Sequence, residues 1–393
     1  MIGVTGTNGK TSTSFLIHRM MHEAGYKVGL MSTVAYGVGN DITPQVQHVT
    51  NVTVPGLMKR LKWMRRQGAE WLVLETTSHG LAQNRVWGVP YGLAVMTNVT
   101  HEHLDYHGSF DNYLAAKLKL FKIVAKNPKG LQIGIVNAED PSAELFAKAV
   151  PKAITYGIKK GDIRAINIKS TSTGSSFAVK SQTNKNLDLK IKTKLPGSFN
   201  VYNSLAAVGA GLALGIEPKQ IEQGIAALDS VEGRMTAVNE GQPFSVIVDF
   251  AHTPDSFEKL FKDFRPVVKG KLIVMFGTPG RRDVAKGAIQ GELAGKYADE
   301  VVVTEEDDRD VDGLQLMEQV GKGAEKSGKV SDKDLFLVHD RTEAIKFTLG
   351  RASSKDDTVL LLGKGHEKTI DRAHGEDPWD EIAITRQVLQ KAK

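Results

Sequence analysis

The sequence predicts an α/β protein built as two successive blocks of mostly parallel sheet, the first carrying a small antiparallel subdomain. Three observations lead there. Short β-branched runs alternate with helical stretches from the N-terminus onward, the pattern of parallel α/β layers. Residues 160–195 interrupt it: they are rich in Lys, Ser, Thr and Asn and alternate with period two, as an antiparallel sheet with one wet face does. From about Val231 the strand–helix alternation resumes.

Taken in order, Ile2–Thr5 reads as a strand and residues 11–24 as a helix stopped near Gly25. Trp71–Glu75 and residues 94–97, 132–136 and 153–156 read as buried strands. Residues 113–124 form a helix with Leu114, Leu118, Phe121 and Ile123 apolar. Within the interruption, residues 177–180 and 187–192 alternate cleanly, and residues 203–214 and 219–228 are helices, the first rich in small residues. The second block has strands at Ser245–Asp249, residues 271–276, 300–304 and 335–339, and Thr358–Leu362. Helices such as 255–263 and 341–349 separate them. The expected domains are 1–231 and 232–393, within the two or three that 393 residues suggest.

Composition narrows the function classes. With 41% hydrophobic and 24% charged residues the profile is that of a soluble globular protein. There is no cysteine, which excludes disulfides, thiolate zinc sites and a cysteine nucleophile and fits a reducing cytoplasm. No apolar run approaches the roughly 18 residues that span a bilayer, and no signal-peptide pattern opens the chain. Lys plus Arg exceed Asp plus Glu by 51 − 45 = 6. Those charges are scattered, without an aromatic-interleaved basic stripe, so small anions rather than nucleic acid are the expected partners. A monomer is expected.

The sharpest motif is Val4-Thr5-Gly6-Thr7-Asn8-Gly9-Lys10-Thr11, joining the first strand to the first helix. Its glycines let backbone N–H groups face a phosphate, and the helix N-terminus adds a favourable dipole. Lys10 would neutralise the β/γ-phosphates and the Thr11 hydroxyl would ligate magnesium. The strict motif would place a further glycine at position 4, where Val4 stands, so this is a shorter Gly-x-x-Gly-Lys-Thr variant. The first block therefore reads as a P-loop-type ATPase domain and the second as a Rossmann-like α/β domain. Glu75 ends a buried strand at its C-terminal edge, where open α/β sheets bind ligands. With Thr11 it would hold magnesium; alone, it would equally well cap a strand end.

Further blocks follow in order: Glu75-Thr76-Thr77-Ser78-His79-Gly80-Leu81, Thr97-Asn98-Val99-Thr100, His103-Leu104-Asp105-Tyr106-His107 and Tyr113-Leu114-Ala115-Ala116-Lys117. Next come Asn200-Val201-Tyr202-Asn203, Gly233-Arg234-Met235, Asp249-Phe250-Ala251-His252-Thr253-Pro254-Asp255 and Gly363-Lys364-Gly365-His366-Glu367. Together with the phosphate loop, and over nearly the whole chain, they resemble the Mur ligases of bacterial cell-wall synthesis, in particular the branch that adds the third residue of the peptidoglycan stem.

The resemblance implies an ADP-forming amide ligase. It would phosphorylate the carboxylate of a UDP-muramyl-dipeptide-like acceptor and pass the acyl group to an amino acid of the diaminopimelate or lysine type. Gly6, Thr7, Asn8, Gly9, Lys10, Thr11 and Ser12 would cradle ATP. Thr11, Glu75, His103 and Lys117 would serve two magnesium ions, Lys117 as a carbamate; the plain reading of Lys117 is a surface lysine. Asn203 would open a helix and contact adenine, Arg234 and Asp249 would hold phosphates and ribose, and His252 would line the nucleotide site. Asn203 as a helix cap and Asp249 as a strand-end cap are the bland alternatives. Lys10, Glu75, His103, Lys117 and Arg234 are the expected catalytic set.

Thr53, Ser78, His79, Gln83 and Arg85 match the family's acceptor site, and Arg282, Arg309, Gly363 and Glu367 its amino-acid site. The family's Asp-Asn-Pro-Arg tetrad keeps Arg309 here, while acids replace its Asn and Pro, an acidic pair that favours a cationic side chain. Full-length members carry a further N-terminal domain that grips UDP, whereas this chain opens on the first ATPase strand. The expectation is a truncated chain or a reduced lineage with another acceptor. Two alternatives stay open: a peptide ligase on a non-UDP acceptor of the folylpolyglutamate type, and a nucleotide-dependent switch without ligase activity.

Overall fold

The computed structural model describes all residues except 46–49, 101, 172, 186, 282–283 and 392–393. The chain divides into two compact units, Met1–Ser170 with Gly174–Asp229, and Ser230–Lys393 with Thr171–Thr173.

The first unit opens β1 (Ile2–Thr5), α1 (Lys10–Glu23), β2 (Val28–Met31), β3 (Ala35–Val38), β4 (Asp41–Pro44) and α2 (Val54–Arg66). It continues β5 (Trp71–Glu75), α3 (Ser78–Ala82), β6 (Leu93–Met96), α4 (Leu104–His107), α5 (Phe110–Ala125), β7 (Ile133–Asn137) and α6 (Ala143–Lys148). Then come β8 (Lys152–Gly157), β9 (Ile163–Thr171), β10 (Gly174–Ser181), β11 (Leu189–Thr193), α7 (Ser198–Ala213) and α8 (Pro218–Ala226). One sheet of 11 strands results, in the order β11-β10-β9-β8-β7-β6-β1-β5-β2-β3-β4. Its centre, β6-β1-β5-β2, is parallel and almost wholly buried, as expected of strands covered on both faces.

The antiparallel strands expected over 160–195 are present, and parallel pairing of Tyr156 with Ile163 joins them to the main sheet. In β11 the burial alternates strictly, the wet-faced pattern. The hairpin β2–β3–β4 and helix α2 were not legible beforehand. The expectation that Asn203 opens a helix is corrected: α7 begins at Ser198 after Gly197, and Asn203 is 4% exposed in its interior. Asn200, one turn earlier, holds the amide of Asn203 instead of a cap. The helix packs on α1.

The second unit runs β12 (Thr236–Ala237), β13 (Ser245–Asp249), α9 (Pro254–Phe264), β14 (Leu272–Phe276), α10 (Val284–Tyr297) and β15 (Glu300–Val303). It ends with α11 (Gly313–Lys326), β16 (Leu335–Leu337), α12 (Arg341–Gly350), β17 (Thr358–Leu362), β18 (Thr369–Arg372), β19 (Gly375–Pro378) and α13 (Glu381–Lys391). Its sheet order is β12-β13-β17-β14-β15-β16, parallel from β13 to β16. Because β17 inserts between β13 and β14, the loops after β14, β15 and β17 emerge side by side at the strands' C-terminal ends. A capping box between Thr253 and Ser256 starts α9 directly after His252, a device that contributes about 1 kcal/mol. Among the described residues no helix is long and apolar enough to cross a membrane.

Candidate active site

In the first unit the phosphate loop is held from outside. Thr7 N donates to Asn98 O at 2.7 Å, Asn8 N to Asn98 Oδ1 at 3.0 Å, and Thr97 Oγ1 to Asn8 O at 2.6 Å. Glycine is required twice. Gly6 has φ +151° and a Cβ would come within 1.9 Å of Thr97 Oγ1; Gly9 has φ +83° and a Cβ would meet Asn203 Oδ1 at 2.3 Å. Asn203 thus abuts the loop directly, and its Oδ1 also accepts from Thr13 Oγ1 at 3.2 Å. Lys10 Nζ donates to Gly6 O (3.1 Å) and Thr7 O (2.7 Å), folding back over the loop. Ser12 is buried in the helix's first turn.

Glu75, 1% exposed, receives Thr11 Oγ1 at 3.1 Å on each oxygen, Thr33 N at 2.9 Å and Thr33 Oγ1 at 3.0 Å. Thr50 Oγ1 lies 2.8 Å from Thr33 Oγ1 and extends the chain. The link between Thr11 and Glu75 that the sequence suggested is therefore direct. Asn51 anchors the strand end: its Nδ2 donates to Glu75 O at 2.8 Å and its Oδ1 accepts from Thr77 N at 2.9 Å. Thr33, Thr50 and Asn51 escaped sequence reading because they sit on the unforeseen β2–β3 corner and before α2. For Thr50 and Asn51 the sequence cue is proximity to Thr53.

Lys117 is not a surface lysine. It is 1% exposed, its Nζ donates to Gly6 O at 2.5 Å, and it lies 4.5 Å over the Tyr113 ring. Burial, then the nearby Lys10 charge, hold its amine well below the ordinary lysine value, against the opposing pull of Glu102 and Glu75. Tyr113 OH pairs with Thr7 Oγ1 at 2.9 Å. A pocket of about 290 Å³ opens here, lined by Lys10, Lys117, Tyr113, His103, Ser78, His79, Arg85, Thr50 and Thr77. His103, at φ +56°, stacks edge-on to His79 with centroids 4.7 Å apart, and buried His107 approaches Ser78 Oγ at 3.1 Å. Arg85 Nη1 donates to Asn51 O at 3.1 Å. Thr53, the residue before α2, and Gln83, the residue after α3, are exposed and off the pocket wall.

The second unit gathers Arg234, Asp249 and His252 about Phe250. The Arg234 guanidinium lies 4.5 Å over the Phe250 ring, and His252 is 4.6 Å from it. Asp249 accepts from Met235 N (2.7 Å) and Ala251 N (2.8 Å), so its carboxylate organises both flanking turns. Burial pushes this carboxyl up, partly offset by Arg234. At the ends of β15 and β17, Lys364 is 1% exposed and pairs with Asp307 at 2.8 Å and Glu367 at 2.7 Å. Burial alone would lower it, but the two carboxylates prevail and hold it above its ordinary value. Arg309 is tied to Asp371, and Gly363 lies against Glu306. Arg282 lies outside the described residues.

Glu306 is 6% exposed, and burial pushes its carboxyl up to about 7, against Lys286, Arg341 and Lys364. From the ordinary 4.5 up to about 7 the folded chain keeps a proton that the unfolded chain has lost. Stability therefore falls as pH rises through that window. Glu306→Gln should be nearly neutral at its lower edge and gain on the parent by up to about 3 kcal/mol above it. Parallel melting curves across the window check this; a constant difference would contradict it.

Comparison with known proteins identifies the family. The family model for the Mur ligase middle domain matches residues 4–211, and that for the Mur ligase glutamate ligase domain matches residues 233–365. The UDP-N-acetylmuramyl-tripeptide synthetase of Roseiflexus sp. (strain RS-1) is 38% identical over 99% of this chain and 78% of its own length. The UDP-N-acetylmuramoyl-L-alanyl-D-glutamate--2,6-diaminopimelate ligase of Geobacillus thermodenitrificans (strain NG80-2) is 37% identical, over 100% of this chain and 79% of its own. A solved structure of a ligase of that second name superposes with TM-score 0.69 at 29% identity, covering 100% of this chain and 78% of that one. With models of both domains matching on either side of residue 231 and a relative 38% identical over 99% of this chain, the chain belongs to the Mur ligase family.

Proposed function

We propose that the protein is an ATP-dependent, magnesium-requiring ligase. It adds an amino acid of the diaminopimelate or lysine type to a muramyl-dipeptide acceptor in cytoplasmic peptidoglycan synthesis, working as a monomer. The observation that carries this is the convergence of Lys10, Lys117, His103 and the acceptor-site residues Ser78, His79 and Arg85 on one pocket. Domain 1–231 would handle the phosphates and domain 232–393 the amino acid.

The donor set suits magnesium: a buried carboxylate whose oxygens are turned to the loop by Thr11 and Thr33, with the Thr11 hydroxyl beside it. Thr11 and Glu75 would hold one ion, His103 and a carbamate on Lys117 the other, and bound magnesium neutralises phosphate oxygens. Lys10 stabilises charge as the acceptor carboxylate attacks the γ-phosphorus and the bond to the ADP oxygen breaks. The amine of the amino acid then attacks the acyl carbon, phosphate departs with the C–O electron pair, and the nitrogen loses its proton to leave an amide. Ser78, His79 and Arg85 would hold the acceptor.

The test is phosphate release from ATP. It should require both an acceptor and an amino acid, with UDP-linked and free muramyl dipeptides and folyl-polyglutamates compared as acceptors. Release indifferent to both co-substrates would favour the nucleotide switch.

A further inference from the structure

The loops after β14, β15 and β17 form a crevice at the C-terminal ends of adjacent parallel strands, where open α/β sheets receive ligands. They are tied together: Gly280 N donates to Asp307 O at 2.9 Å, Arg309 N to Asp371 O at 3.0 Å, and Asp371 N to Asp307 Oδ1 at 2.9 Å. The hairpin β18–β19 thus closes onto the segment 305–309.

Two side chains in this crevice carry opposite states. A guanidinium grips a carboxylate through two parallel N–H bonds from one edge. Arg309 has neither edge whole: Nε is on Asp371 Oδ2 at 3.1 Å, and Nη1 donates to Gly280 O at 2.7 Å. Glu306 is the reverse. It is 6% exposed, its Oε2 stands 2.6 Å from where a Cβ on Gly363 would be, and among the described residues nothing donates a hydrogen bond to its carboxylate. A buried carboxylate in want of donors is costly until a ligand supplies them. An ammonium supplies up to three.

We propose that Asp371 determines the side-chain selectivity of the amine substrate: by holding Arg309 it denies the guanidinium to a second carboxylate. The crevice, with Glu306 as its acceptor, therefore takes an α-amino acid ending in an ammonium alone, such as lysine or ornithine, ahead of diaminopimelate. This rests on the ligase reading above and narrows its substrate class.

The experiment uses the full chain with ATP, magnesium and a muramyl-dipeptide acceptor. It reads kcat/KM for lysine and diaminopimelate in the parent, Asp371→Asn and Glu306→Gln, alongside calorimetric binding of both amino acids. The parent should favour lysine by at least about tenfold, the worth of one charge-assisted contact. Asp371→Asn, which frees the Nε edge, should narrow that ratio by about tenfold, chiefly through the diaminopimelate KM. Glu306→Gln should weaken lysine by a similar factor with the KM for ATP unchanged. A parent that prefers diaminopimelate, or an Asp371→Asn ratio equal to the parent's, overturns the proposal. If phosphate release ignores every amino acid while calorimetry keeps the selectivity, the ligase reading falls and this one stands. If neither amino acid binds, this one falls.

Discussion

Lys117→Ala is expected to abolish turnover, with a loss of at least about a thousandfold, the scale for removing a group that stabilises developing charge in a closed site. The side chain is buried to 1% exposure beside Gly6 and above Tyr113, so its loss acts at the phosphate loop and not on the surface. Burial chiefly lowers the pKa of its amine, which favours the neutral form, and a neutral amine can add to carbon dioxide, the new N–C bond forming as a proton leaves, to give a carbamate anion. Lysine is needed for that step, so Lys117→Arg should be equally inactive although it keeps a cation. Activity of the parent should fall in buffer stripped of carbon dioxide and return with bicarbonate, whereas bicarbonate should not rescue Lys117→Ala. An active Lys117→Ala would end the carbamate idea.

Arg341→Met is expected to cost the second unit about 3–5 kcal/mol, the range for breaking one side of a buried ion pair. Arg341 and Glu381 are both wholly buried. The guanidinium donates from Nε and Nη2 to the two Glu381 oxygens at 2.9 and 2.8 Å, from Nη1 to Glu305 O at 2.9 Å, and from Nη2 to Leu362 O at 2.8 Å. Removing it strands a carboxylate that, among the described residues, only Trp379 Nε1, at 2.8 Å, continues to serve, and frees two strand-end carbonyls. Replacing both members, Arg341→Met with Glu381→Leu, should recover much of the loss, since no unpaired charge remains. Denaturant unfolding of the parent and the three variants closes the cycle. A single-variant loss under about 1 kcal/mol would place the pair with ordinary surface bridges. Because Arg341 ties the ends of β15 and β17, its loss should also loosen the crevice around Glu306.

Much of the site was legible beforehand because its parts are local. The phosphate loop needs glycines, Lys10 and Thr11 at fixed offsets, and Glu75 must end its strand; both requirements are written in contiguous residues. Ser78, His79, Arg85, His103 and Lys117 were singled out from motif blocks, and one pocket collects them. Thr53 and Gln83, matched to the same acceptor site, are exposed and do not line that pocket. Thr33 was invisible: it sits on the antiparallel β2–β3 corner of short, glycine-containing strands whose pattern is too brief to read.

The amino-acid sequence alone determined the alternation of strand and helix, the glycine-bearing strand–loop–helix at the N-terminus, and the residue types available there. These follow from periods of two and 3.6 and from glycine's freedom, which act over a few residues. Long-range contact decided the rest. Lys117 became a buried amine because α5 packs on the sheet, Asn203 an abutment for Gly9 because α7 packs on α1, and Arg309 an occupied guanidinium because a hairpin 62 residues later folds back onto it. Burial and ion pairing depend on what arrives from elsewhere in the chain, and no local pattern records that arrival.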